Sequence, residues 1–192
     1  MEMNECRQNL KDNVKIQNAI KTILKEIGED PEREGLKRTP YRWAKAAEEW
    51  FGGYGIKPED VLNRSFTESS DMVIEGPIKF FSHCEHHLAS FYGEVWIGYI
   101  PKKQVTGLDK MVKLVEIYSR RLQIQERLTQ QIADAMMLLK PIGVAVVCKA
   151  YHLCVSSRET KNPTTYTITS AVRGLFKKDS KARDEFLKLI TL

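Results

Sequence analysis

Hydrophobic residues recur at helical spacing in the first part of the chain. Over residues 10–27 apolar side chains follow one another at steps of three and four among Lys, Asp, Gln and Asn, which predicts an amphipathic helix. A second helix is predicted to begin at Thr39-Pro40, where a capping residue precedes a proline suited to the first helical turn. Residues 54–70 have the composition of a loop. We therefore expect a helical region over residues 1–70.

The rest of the chain alternates pairs of strands with pairs of helices. Runs rich in β-branched and aromatic residues predict strands, and apolar residues at three- and four-residue steps predict helices. In chain order we predict two strands, two helices, two strands and a final helix, over residues 72–82, 91–100, 108–122, 128–139, 143–155, 164–172 and 182–192. This order predicts an α+β fold with a mainly antiparallel ββααββ sheet over residues 71–192, in one compact domain.

Composition narrows the class of protein. The chain has 192 residues, of which 42% are hydrophobic and 29% charged, as in ordinary globular domains. Its net charge of +5 favours anionic partners but is modest for a dedicated nucleic-acid binder. No apolar run approaches the about 20 residues of a membrane-spanning helix, and the first residues lack a signal-peptide core. We expect a cytoplasmic protein that binds neither nucleic acid nor membranes.

Histidine and cysteine cluster at two places. Three of the four histidines lie within residues 83–87, where Cys84 and His87 stand at a spacing that lets a thiolate and an imidazole reach one ion. His152 lies two residues before Cys154, and on an extended strand these two would share a face. Two cysteines and one histidine suit zinc, and three protein ligands leave a fourth position for water, as in catalytic zinc sites.

Such a site would have a defined chemistry. Zinc lowers the pKa of its water to about 7, and His86 and His152 would remain as proton carriers. Two alternatives stay open at this point: surface-loop histidines with a buried Cys154 thiol, or a closed structural site with His86 or His152 as fourth ligand. Cys148 is interpreted as a core residue, because six residues of strand separate it from Cys154 by about 20 Å, too far for a disulfide.

Charged residues suggest a ligand with phosphate groups. Lys110 and Lys113 share one helical face, and Arg158 follows the second cysteine cluster closely, a pattern that points to phosphate. Arg42 is a further candidate for a phosphate contact. For each of these basic residues the alternative is a solvated charge on the surface that binds no ligand. Glu126 precedes the apolar stripe of a helix. A carboxylate at this position can stabilise the N-terminal end of the helix. Alternatively, it can accept two parallel hydrogen bonds from N–H groups such as those of guanine.

Several motifs, taken in order, resemble those of the GTP cyclohydrolase I family. They lie within residues 36–190 and are Cys84-Glu85-His86-His87-Leu88, Tyr99-Ile100-Pro101, Gly107-Leu108-x-Lys110, Arg121-Leu122-Gln123-Ile124-Gln125-Glu126-Arg127-Leu128-Thr129, Gly143-Val144-Ala145-Val146-Val147 and His152-x-Cys154. The resemblance implies the tunnelling fold, in which antiparallel sheets join into an oligomeric barrel. It also implies a homo-oligomer of ten subunits with active sites between them.

The resemblance also assigns roles to single residues. It implies Zn²⁺ as cofactor and GTP as substrate, with hydrolytic opening of the guanine imidazole ring, release of formate and formation of dihydroneopterin triphosphate. The implied metal ligands are Cys84, His87 and Cys154, and the implied acid/base residues are His86 and His152. The implied substrate-binding residues are Glu126, which anchors the guanine base, and Gln125. Four basic residues are implied for the triphosphate: Lys110, Lys113, Arg158 and Arg42.

Four positions depart from the family pattern. Thr165 and Ser90 are mild departures, and the other two change the charge. Asp109 stands where the family usually has serine, and Glu159 stands where it usually has glycine. Both add negative charge near the expected triphosphate, which suggests a family member with altered phosphate preference as a second hypothesis. A nitrile reductase of the same fold and a non-catalytic zinc-binding protein are two further hypotheses. Folate, pterin and deazapurine pathways all remain open for the product.

Overall fold

A computed structural model describes residues 10–68, 70–158 and 164–191. The chain divides into two compact units, with the boundary between Gly55 and Ile56. The division into functional regions at residue 70 stays a prediction.

The first unit contains two helices, as the sequence predicts. After a 3₁₀ turn, α1 spans Val14–Glu26, and the side-chain oxygen of Asn13 accepts hydrogen bonds from the first backbone N–H groups of this helix. Helix α2 spans Thr39–Trp50 and carries a proline in its first turn, where the missing N–H costs nothing. The two helices contact each other.

The second unit contains the sheet and its covering helices. Its elements in chain order are α3 (Pro58–Val61), β1 (Ser65–Thr67), β2 (Val73–Cys84), β3 (Ser90–Ile100), β4 (Gln104–Thr106), α4 (Leu108–Ser119), β5 (Leu122–Gln123), α5 (Gln125–Met136), β6 (Gly143–His152), α6 (Leu153–Ser156), β7 (Thr167–Gly174), α7 (Leu175–Lys178) and α8 (Ser180–Leu189). The predicted order of two strands, two helices, two strands and a final helix is confirmed. The elements that sequence patterns missed are four residues long or less, too short to show a periodicity.

The main sheet has five strands in the order β5-β2-β3-β6-β7. All neighbours are antiparallel except β5, which runs parallel to the end of β2. A separate two-stranded sheet pairs β1 with β4. The predicted α+β fold with a mainly antiparallel sheet is therefore confirmed.

The hydrophobic core lies between the sheet and the two long helices. Helix α4 contacts β2, and α5 contacts β6 and β7. Strand β6 is buried on both faces for much of its length, because Val144 and Val146 face the main core while Ala145 and Val147 pack against Phe186 and its neighbours. A strand buried on both faces explains the continuous apolar run that begins at Gly143.

The end of β6 differs from the prediction. We expected a strand over residues 143–155 that places His152 and Cys154 on one face, but the strand ends at His152 and a helical turn, α6, follows. The physical reason lies in the serines after the strand, because the Ser156 hydroxyl donates to the His152 carbonyl at 3.1 Å and the Ser157 N–H donates to the Leu153 carbonyl at 2.9 Å. Cys154 therefore leaves the strand direction. The prediction of a shared strand face is wrong.

A substitution at Gly93 tests how closely β3 packs against β6. A methyl group at Gly93 would lie 1.9 Å from the backbone oxygen of Lys149, which cannot move without breaking the ladder. We expect Gly93→Ala to lower the free energy of unfolding by on the order of 3 kcal/mol, measured by urea denaturation at fixed protein concentration. Gly35→Ala is the control, because the added methyl group meets only the end of the Arg33 side chain at 3.1 Å. Equal midpoints for the two variants would contradict this packing.

Candidate metal centre

The first two candidate ligands lie in the turn between β2 and β3. Cys84 is the last residue of β2, and its N–H donates to the Ala89 carbonyl at 2.8 Å. The Cys84 carbonyl accepts from the Leu88 N–H at 2.9 Å, with Leu88 in the left-handed region at φ 54°. This tight turn brings His87 back over Cys84, so that the Cys84 Sγ and His87 Nδ1 atoms lie 3.9 Å apart.

The third candidate ligand arrives from the far end of the chain. The pairing of β3 with β6 places Phe91 opposite His152, so β6 ends beside the β2–β3 turn. Helix α6 begins there and carries Cys154 to the turn. One ligand atom each of Cys84, His87 and Cys154 lies within 4.8 Å of the others. The structure thus brings the three predicted metal ligands together.

The geometry and chemistry of this group fit a metal ion. In a tetrahedral zinc site with bonds of about 2.3 Å to sulfur and about 2.1 Å to nitrogen, those two atoms are about 3.6 Å apart, close to the 3.9 Å between Cys84 and His87. Burial raises the pKa of Cys154, and the neighbouring Cys84 raises it further. A cation between the two sulfurs would oppose both effects and favour the thiolates.

The two acid/base candidates lie outside this group of three. His86 Nδ1 is 3.8 Å from Cys84 Sγ, but its side chain is 63% exposed. His152 is half-buried at the end of β6, and its ring stacks on Phe91 with centroids 4.8 Å apart and planes at 7°. In the described residues neither imidazole completes a four-ligand group. This arrangement favours an open site over the closed structural alternative.

His152 is linked to the start of α5. Its Nε2 atom lies 2.8 Å from Oε1 of Gln125, which is buried. Burial lowers the pKa of His152, and the Glu126 carboxylate opposes this shift. Glu126 itself is exposed in the first turn of α5. The structure therefore brings His152, Gln125 and Glu126 into one neighbourhood.

The basic candidates are distributed more widely. Arg158 lies at the metal-ligand group, where its Nη2 is 3.1 Å from His87 Nε2 and its Nε donates to the Cys154 carbonyl at 2.9 Å. Lys110 lies on α4 with its Nζ 3.5 Å from the Asp109 carboxylate, and Lys113 is exposed one turn further on. Arg42 belongs to α2 of the first unit. Glu159 lies outside the described residues.

One ion pair at the site was not predicted from the sequence. Arg127 on α5 donates with both terminal nitrogens to the carboxylate of Glu85 in the metal-ligand turn, with one contact at 3.0 Å. The Arg127 guanidinium lowers the pKa of Glu85. Because three strands and a helix lie between the two residues in the chain, neither spacing nor composition predicts their contact. The pair connects the metal-ligand turn to the helix that carries Glu126.

Comparison with known proteins identifies the family. A family model described as GTP cyclohydrolase I matches residues 16–191. The protein named GTP cyclohydrolase 1 of Desulforamulus reducens is 52% identical over 179 residues, covering 92% of this chain and 96% of that protein. The chain belongs to the GTP cyclohydrolase I family. The Rattus norvegicus protein of the same name is 51% identical over 175 residues, covering 90% of this chain and 73% of that protein. The similar proteins therefore include one from an animal.

One solved structure is also similar to this GTP cyclohydrolase I family member. The archaeosine synthase QueF-Like in the apo form matches with a TM-score of 0.45 and 22% identity, covering 56% of this chain and 97% of that chain. Within residues 10–68, 70–158 and 164–191, no helix is both long enough and apolar enough to cross a membrane.

The two cysteines of the β6–α6 segment provide a matched test of the ligand group. We expect the full chain to bind one zinc ion per chain and Cys154→Ala to lose most of it, measured by atomic emission after exhaustive buffer exchange. Cys148→Ala is the control, because this thiol is fully buried in the core, outside the ligand group. That variant should keep its zinc and lose only stability, by about 1 kcal/mol. Equal zinc content in both variants would exclude Cys154 as a ligand.

Proposed function

We propose that this chain is a zinc-dependent GTP cyclohydrolase I. In this proposal it opens the imidazole ring of the guanine of GTP by hydrolysis, releases formate and forms dihydroneopterin triphosphate. The observation that supports it most is the group of Cys84, His87 and Cys154 beside His152, in a chain about 50% identical to proteins named GTP cyclohydrolase 1. Its product would enter tetrahydrofolate or pterin biosynthesis, and we place the enzyme in the cytoplasm.

The proposed cofactor is Zn²⁺, held by Cys84, His87 and Cys154. Two thiolates and one imidazole are ligands that zinc prefers, and three protein ligands are typical of a site that leaves one position to water or substrate. When bound, the ion supplies a Lewis acid that activates water at neutral pH. Arg158 donates from Nε to the Cys154 carbonyl, so it holds the segment that carries this ligand from outside the ligand group.

The two free histidines are the proposed acid/base residues. Phe91 and Gln125 hold the His152 ring in one orientation, which suits a group that must deliver a proton to a fixed atom, here a nitrogen of the opening purine ring. Burial lowers the pKa of His152 and so favours its neutral imidazole. Once protonated, such a ring gives up its proton readily. His86 is more exposed, and we assign it to proton transfers around the ribose.

Glu126 is the proposed anchor of the guanine base. Its carboxylate lies in the first turn of α5, where the helix dipole stabilises the ionised form. An ionised carboxylate can accept two parallel hydrogen bonds from the ring N–H and the exocyclic amine of guanine. Its proximity to His152 supports a base bound next to the acid/base residue. Gln125, the preceding residue, belongs to the same part of the proposed site.

We propose that the enzyme is a homo-oligomer, most simply the decamer of the family, with active sites between subunits. Among the described residues, strand β7 is an edge of the main sheet and is eight residues long, so its outer edge can pair with another copy. Lys110, Lys113 and Arg42 would bind the triphosphate together with Arg158 at such a shared site. Sedimentation velocity should give a mass of about ten chains, and a monomer at micromolar concentration would contradict the shared site.

A direct assay tests the proposed activity. Zinc-loaded full-length protein incubated with GTP should release formate and yield a fluorescent pterin after oxidation, while His152→Ala should be at least about 100-fold slower. Retained zinc in the inactive His152→Ala variant would separate the acid/base role from metal binding. Full turnover by metal-free protein would contradict the proposed mechanism. Failure of the zinc-loaded protein to release formate would favour a non-catalytic zinc-binding protein.

One observation favours a second candidate, a member with altered phosphate preference. The Asp109 carboxylate lies 3.5 Å from Lys110 Nζ and offsets part of the positive charge proposed to hold the triphosphate. A like charge at about 4 Å costs about 1 kcal/mol in water, or about five-fold in affinity. GMP or GDP would then compete better with GTP than in a site without this carboxylate.

Removal of this carboxylate distinguishes the two candidates. We expect Asp109→Asn to lower the KM for GTP about five-fold relative to that for GMP, measured by formate release at low ionic strength. Glu116→Gln is the control, because it removes the same charge from α4 at a residue paired with Arg120. Similar shifts in both variants would show that only the net charge matters and that Asp109 has no special role.

A further inference from the structure

The side-chain amide of Gln125 fits its surroundings in only one orientation. Its Nε2 atom lies 3.0 Å from the backbone oxygens of Cys148 and Thr167, and 3.2 Å from Thr169 Oγ1. Backbone carbonyl oxygens only accept hydrogen bonds, so the NH₂ group of the amide must face them. Because the residue is only 2% exposed, water cannot replace these partners.

This orientation determines which nitrogen of His152 carries a proton. The amide oxygen of Gln125 faces the His152 Nε2 atom at 2.8 Å, and an amide oxygen only accepts. Nε2 must therefore donate, so it is protonated. In a neutral imidazole the other nitrogen, Nδ1, then holds the lone pair. Within the described residues, Nδ1 has no hydrogen-bond partner.

Two further contacts make this arrangement rigid. Phe91 is fully buried and stacks on the His152 ring, which fixes the plane in which Nδ1 points. The Thr129 hydroxyl donates to the backbone carbonyl of Gln125 at 2.8 Å and lies 2.6 Å from Thr169 Oγ1, which ties the start of α5 to β7. Gln125 is thus held by groups on several elements, and both polar atoms of its side-chain amide already have partners in the protein.

We propose that Gln125 is a positioning residue that acts through His152, an inference that rests on the proposed function. It keeps the proton of the neutral ring on Nε2, so that Nδ1 is the nitrogen that exchanges protons with the purine. In the forward direction Nδ1 takes a proton from the water whose oxygen adds to the carbon of the purine imidazole ring. It passes this proton to the ring nitrogen that is released when the bond between that nitrogen and that carbon breaks. The ring returns to the neutral form, and the proton on Nε2 stays in its bond to Gln125. Direct binding of the guanine base is then left to Glu126.

The position of the proton is measurable without turnover. Full-length zinc-loaded protein, labelled with ¹⁵N at histidine Nδ1 only, is studied by solid-state NMR at a pH where His152 is neutral, and the signal lost in His152→Asn is assigned to His152. We expect a single pyridine-type signal in the wild type, and a mixture of pyridine-type and pyrrole-type signals in Gln125→Met. A pyrrole-type Nδ1 in the wild type would overturn the inference, whether or not the protein turns over GTP.

Kinetics separates positioning from direct binding. We expect Gln125→Met to lower kcat for formate release about 10- to 100-fold, with KM for GTP changed less than two-fold. In a His152→Ala background the same substitution should not lower kcat further, because the imidazole through which Gln125 acts is absent. Gln123→Met is the control for loss of a buried glutamine amide alone, because the Gln123 amide donates to the Tyr118 carbonyl and to Gln131 rather than contacting His152. This variant should keep kcat within about two-fold.

Different results reject different claims. An increased KM with unchanged kcat in Gln125→Met would show direct substrate binding, and an equal loss of kcat in the His152→Ala background would show a general structural effect; either would overturn the inference. Absence of formate release by the wild type would contradict the proposed function, while the NMR spectrum would still decide the position of the proton.

Discussion

The register of β3 between β2 and β6 is the constraint on which the site depends. Ser90 pairs with His83 on one side, and the next residue, Phe91, pairs with His152 on the other. The turn that carries Cys84 and His87 therefore lies beside the end of β6. A slip of one residue in the β3–β6 pairing would turn the side chain of His152 to the opposite face of the sheet, away from Gln125. Two distant segments meet because backbone hydrogen bonds hold this register.

Burial gives the two cysteines of the β6–α6 segment different chemistry. Cys148 lies in the core, and burial raises the pKa of its thiol to about 12, although Thr129 and Thr169 offer hydrogen bonds that oppose the shift. It stays protonated and serves packing. Cys154 lies beyond the end of the strand, partly exposed and beside Cys84, where it can reach an ion. The transition from strand to helical turn at Leu153 separates a packing thiol from a candidate ligand.

Much of this arrangement could be predicted from the sequence, because local patterns carry it. The spacing of Cys84 and His87, the short interval between His152 and Cys154, and the order of the elements all depend on neighbouring residues. The prediction that the strand continues through Cys154 is wrong. The Ser156 hydroxyl donates to the His152 carbonyl and stabilises a helical turn in place of the strand. The contacts of Gln125 with His152 and of Arg127 with Glu85 join residues 27 and 42 positions apart, and they exist only after the sheet has formed.

The central claim is that two sulfurs and one imidazole nitrogen from two distant segments bind one zinc ion. X-ray absorption at the zinc edge of the full-length, zinc-loaded protein tests it most directly. We expect two sulfur neighbours at about 2.3 Å, one histidine nitrogen at about 2.0–2.1 Å and one further light atom. A first shell of nitrogen and oxygen only, or one with a single sulfur, would contradict it.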